Sequence, residues 1–110
     1  MRLKNLPTDE ALPLAGLIQG KPHQVASKSL VSADTFSMML MAFDEAESVS
    51  EERYPGDVLY LLLEGRARIA LPERSVTMRA GDALMVPAGV PHAVEAESAV
   101  KLLQLGLAGR

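Results

Sequence analysis

The run Gly81-Asp82-Ala83-Leu84-Met85-Val86-Pro87-Ala88-Gly89-Val90-Pro91-His92 decides the fold of this chain. A glycine turn opens a short apolar strand, and a Pro-x-Gly turn closes it. Gly81 supplies a positive φ that residues with a side chain disfavour. Ala83 to Val86 is short, apolar and unbroken, the pattern of a strand in a sandwich core. Pro87 and Pro91 fix φ and have no N–H to give a sheet ladder, so they end the strand and bracket a loop. His92 then opens the next strand, Ala93-Val94. A titratable, metal-competent imidazole therefore stands at the mouth of a β structure.

Working outward, turn residues cut the chain at short intervals. Ala33-Asp34, Asp44-Glu45-Ala46, Pro55-Gly56, Glu64-Gly65, Pro72-Glu73, Ala80-Gly81 and Glu97-Ser98 separate strands predicted at about 24–31, 36–43, 47–50, 57–63, 66–71, 74–79, 83–86, 92–96 and 99–106. Many short strands at such spacing indicate an all-β sandwich or barrel. Ala67, Ile69 and Leu71 alternate with Arg66 and Arg68, which is a half-buried strand with a wet outer face. Phe36 to Phe43 is apolar on both faces, so both must be covered. The expected second cover is another subunit, making a homodimer. Leu102, Leu103, Leu105 and Leu107 offer a similar strand near the C-terminus. Residues 1–23 form a lead-in across one end of the barrel. Within it Thr8 is placed to cap a short helical turn over Asp9 to Leu12.

Composition narrows the function classes. The 110 residues are 48% hydrophobic, enough for one domain with a real core. No cysteine is present, which removes disulfides and thiolate chemistry. A net charge of −3 gives no basic footprint for nucleic acid. No apolar run approaches the roughly 20 residues of a membrane span. The first residues lack the apolar stretch of a signal peptide, so a cytoplasmic protein is expected. No serine sits in a hydrolase elbow, and no Gly-rich phosphate loop occurs.

The opening run resembles the second signature motif of the cupin superfamily, G-x5-P-x-G-x2-H-x3-N. Gly81, Pro87, Gly89 and His92 fall at its spacing, and Ala96 replaces the final Asn. The first motif, G-x5-H-x-H-x3,4-E-x6-G, should lie upstream, over Ser50 to Gly65. The Pro55-Gly56-Asp57 turn and the strand ending Leu63-Glu64-Gly65 are similar to those of small single-domain bacterial cupins. Both histidines are absent. Glu52 stands about where such proteins carry a metal-binding His, Asp57 lies one residue before the motif Glu, and Val58 holds the strict position. The resemblance spans residues 24 to 105. It implies a cupin-type jelly-roll β-barrel over 24–107, with a cavity inside and His92 near its floor or mouth.

Two functions compete. The first is a metal-free or weakly metal-binding domain that takes a small, partly apolar ligand, with His92, Tyr60, Glu52 and Asp57 as binding residues and no cofactor. The second is a metal-dependent oxygenase, isomerase or lyase in which His92, Glu52 and Asp57 hold a divalent transition metal. A metal needs roughly three protein ligands, and the lost histidines favour the first reading. A one-His, two-carboxylate set suits harder ions such as manganese or iron. The plainer reading of Glu51, Glu52 and Asp57 is that of solvated loop acids in an acidic stretch. His23, after Lys21-Pro22, reads as a surface histidine. Tyr60 either packs or offers its hydroxyl to the cavity. Met38, Met39, Met41, Met78 and Met85 read as core and interface filler. The cavity is expected to be mostly apolar, with inward candidates Leu59, Leu61, Tyr60, Val86, Val94 and Leu103. Period-2 alternation puts Tyr60 opposite Leu59 and Leu61, so these cannot all point inward without a bulge.

Overall fold

Alternation along each strand sets which residues meet inside. In the computed structural model, which describes residues 2–108, nine strands run β1 Val25–Ser32, β2 Phe36–Phe43, β3 Ser48–Glu52, β4 Val58–Glu64, β5 Arg66–Ala70, β6 Ser75–Arg79, β7 Ala83–Val86, β8 His92–Ala96 and β9 Val100–Leu107. Each lies within two residues of its predicted bounds. They build two antiparallel sheets, ordered β1-β2-β9-β4-β7 and β3-β8-β5-β6. On β5, Ala67 and Ile69 are buried while Arg66 and Arg68 point to water. Arg68 pairs with Glu95, its cross-strand partner, and Arg66 lies 3.5 Å from Glu97. Such exposed pairs contribute at most about 1 kcal/mol. No helix among the described residues is long and apolar enough to cross a membrane.

The main core lies between the sheets. Phe43, Val58, Tyr60, Leu62, Ile69, Val94 and Leu102 are buried there. Val58, Tyr60 and Leu62 make up the inward row of β4. The expectation for Leu59 and Leu61 is corrected accordingly: Leu59 is exposed and Leu61 half-buried on the opposite row. Leu103 also leaves the inward set, because it packs on the outer side of its sheet.

That outer side carries a second core. Leu40 and Ala42 are buried with Ile18 and Leu30, and Leu6, Leu14 and Leu17 pack against them. The second face of β2 is thus covered by the chain's own lead-in. The apolar residues left in water lie elsewhere, with Leu59 and Met85 facing each other across β4 and β7.

The lead-in itself differs from expectation. Asp9 to Leu12 forms no helical turn, and the Thr8 hydroxyl contacts the Asp9 side chain. Proline steers the residue before it out of the α region, so Pro13 forbids a helical Leu12. A 3-10 helix follows instead at Leu14–Leu17. Its last carbonyls have no partner within so short a helix. Lys101 Nζ donates to Ala15 O at 2.8 Å, and Lys28 Nζ donates to Leu17 O. Cationic donors suit the carbonyl end of a helix. Ile18 anchors the arrangement at 4% exposure. Ile18→Ala should cost about 2–4 kcal/mol, read as a lower urea midpoint with an unchanged slope. A loss below about 1 kcal/mol would show that the lead-in is not integral to the fold.

Candidate functional site

Both sheets contribute to one cavity. β8 begins at His92 and β3 ends at Glu52, and these two are cross-strand partners. Tyr60 reaches in from β4 of the opposite sheet, and Tyr54 from the loop after β3. His92 is 2% exposed, the one buried polar or charged side chain among the described residues. Its Nδ1 lies 3.0 Å from Val90 O and its Nε2 lies 2.7 Å from the Tyr60 hydroxyl. A carbonyl can only accept, so the ring proton sits on Nδ1. In the neutral form of the ring, Nε2 is then an acceptor and takes the Tyr60 O–H. A neutral imidazole satisfies both contacts. The Tyr60 ring meets His92 edge-on at 5.5 Å between centroids, and Tyr54 lies tilted at 5.7 Å.

Burial holds the Tyr60 phenol well above its ordinary pKa, and the charges of Tyr54 and Glu52 push the same way. The phenolate is disfavoured in a dry site. Tyr60 therefore stays a hydroxyl, and its proton is committed to His92.

The cavity beside this pair holds about 310 Å³. Met39, Met41, Phe43, Val49, Val58 and Val94 give it an apolar wall, and Ser37, Ser50, Glu52, Tyr54, Gln104 and Asp34 supply its polar groups. The volume is at the lower end of the roughly 300–1,000 Å³ range of known ligand pockets.

Of the predicted site residues, His92, Tyr60 and Glu52 line the cavity. Asp57 is not among the lining residues. Its carboxylate accepts the Ala88 N–H at 2.9 Å and ties the start of β4 to the Pro87-Gly89 turn. His23 is exposed, and its backbone N–H donates to the Asp44 carboxylate at 2.7 Å. Tyr54 and Gln104 were missed. A signal existed for each. Tyr54 follows Glu52 by two, the spacing of the first motif's paired histidines. Gln104 interrupts an apolar strand on the row of Leu102 and Gly106, where a polar residue needs a partner or a ligand.

A metal fits these residues poorly. Among the described residues no group of three or more His, Asp or Glu side chains is placed to hold an ion. The site has one imidazole, and its Nε2 lone pair is occupied by Tyr60. A stable site needs about three ligands with free lone pairs.

The cupin domain family model matches residues 39–105. A cupin superfamily protein of Desulfitobacterium hafniense is 44% identical, with a TM-score of 0.96 over 98% of this chain and 99% of that one. A conserved protein of unknown function from Streptococcus pyogenes shares the fold at 23% identity and a TM-score of 0.94, covering 100% of this chain and 96% of its own. A cupin 2 conserved barrel domain protein of Leptotrichia buccalis is 30% identical, with a TM-score of 0.83 over 86% of this chain and 46% of that one. No curated protein matches. Motif spacing, two-sheet topology and these similarities converge, and the chain belongs to the cupin superfamily.

Proposed function

We propose that the protein is a metal-free cupin that binds a small, partly apolar molecule in the cavity between its sheets. The observation that carries this reading is the Tyr60–His92 hydrogen bond at 2.7 Å on the wall of a cavity of about 310 Å³. The bond uses the nitrogen that a metal would need, and leaves the tyrosine oxygen with spare lone pairs for a ligand. The apolar wall supplies affinity by burial, and Gln104 with Tyr60 orients the ligand. A metal-dependent reaction at His92 with Glu52 or Asp57 draws no support from the donor set.

Titration with 2-phenylethanol, a small apolar probe with one hydroxyl, tests this reading. Backbone amide shifts should cluster at His92, Tyr60 and Gln104 and saturate at millimolar probe. Protein purified without metal-affinity steps should carry substoichiometric transition metal. Stoichiometric metal that is lost in His92→Ala would overturn the metal-free reading. Shifts scattered over the surface, or none, would overturn cavity binding.

A further inference from the structure

We propose that the cavity selects protonated amines and rejects carboxylates and phosphates of the same shape. This rests on the cavity being a ligand site and specifies what that site takes. Among the described residues that line the cavity, Asp34 and Glu52 are the carboxylates, and neither Lys nor Arg contributes. Both carboxylates are solvent-exposed, which places them at the mouth. A ligand entering the cavity passes within the Debye length of about 8 Å of these two carboxylates.

The deeper wall points the same way. His92 has both nitrogens engaged, Nδ1 with Val90 O and Nε2 with Tyr60. The Tyr60 proton is spent on His92, so its oxygen can only accept from a ligand. The Tyr54 hydroxyl and the Gln104 amide accept as well as donate and do not discriminate. An anion would face the Tyr60 lone pairs without a charged donor to replace its water. An ammonium can donate to Tyr60 or Glu52 and can sit against the Tyr54 ring.

Three probes of one shape separate the possibilities: 2-phenylethylamine, 2-phenylethanol and phenylacetate. Each is titrated by amide shifts at pH 7 and low salt, in the unmodified protein and in Asp34→Asn/Glu52→Gln. The amine should bind at least ~10-fold tighter than the carboxylate, as two nearby charges at a partly exposed site allow. The double variant should lose most of that gap. Its amide spectrum reports that it is folded. Phenylacetate binding as tightly as the amine would overturn the charge selection and leave the binding reading standing. A gap that persists in the double variant would overturn the role of the two carboxylates. Failure of all three probes to shift the cavity residues would overturn the binding reading itself, and the selection with it.

Discussion

Gly65→Ala should destabilise the protein by about 3–5 kcal/mol, a large share of the 5–15 kcal/mol typical of a domain. Gly65 forms the corner where β4 of one sheet passes into β5 of the other, with φ at +85°. A left-handed conformation costs a residue with a Cβ about 1–2 kcal/mol. The rest comes from collision. A Cβ there would run into the Ala99 carbonyl oxygen and come within 2.9 Å of Ser98 Oγ. That segment cannot retreat cheaply. The N–H groups of Glu97 and Ser98 both donate to Arg66 O, at 2.9 and 3.3 Å, and Ser98 Oγ accepts the Arg66 N–H at 2.9 Å. Gly89 is the control, because its φ is +80° and nothing lies within 4 Å of a built Cβ. Gly89→Ala should show the strain alone, about 1–2 kcal/mol. Urea denaturation of the two variants gives both numbers. Equal losses would mean that the 98–99 segment moves aside and that the corner is held by φ only.

His92→Ala should cost about 2–4 kcal/mol, and Tyr60→Phe about 1–2 kcal/mol. The imidazole is buried between two tyrosine rings, and its removal orphans the Tyr60 hydroxyl. Tyr60→Phe leaves Nε2 without its donor. The double variant removes both ends, so the two losses should overlap by about 1 kcal/mol. Strict additivity would show that the bond adds nothing to folding. Alkali gives an independent readout. The folded Tyr60 pKa is raised, so its contribution is fully present below the unfolded value of about 10 and is lost as pH rises above it. Unfolding then releases a proton, and stability falls by up to about 1.4 kcal/mol per pH unit. Tyr60→Phe should flatten the alkaline limb of the stability curve relative to the unmodified protein. An identical limb in both would mean that the phenol ionises in place.

The strands were legible because their cause is local. Gly81, Pro87 and Gly89 punctuate the chain whatever surrounds them, and alternation on β5 names its buried face without knowing what buries it. His92 was legible as a cavity residue through the spacing that leads to it. Asp57 was not separable from Glu52 by sequence. Both are acids flanking the same turn, and only the folded chain shows one on the cavity and the other bonded to Ala88.

The cover of β2 shows the same division. An eight-residue strand apolar on both faces states that two covers exist. It does not state whether the second comes from another chain or from residues far off in sequence. Ile18 and Leu14 supply it because Lys28 and Lys101 hold the carbonyls of the 3-10 helix against that sheet. The sequence alone determined the strand positions, the paired-sheet class and the histidine at the cavity. The tertiary structure decided the partner of that histidine. Tyr60 and His92 are 32 residues apart and belong to different sheets. Their bond exists because the two sheets close on each other, a long-range packing event that no local pattern encodes.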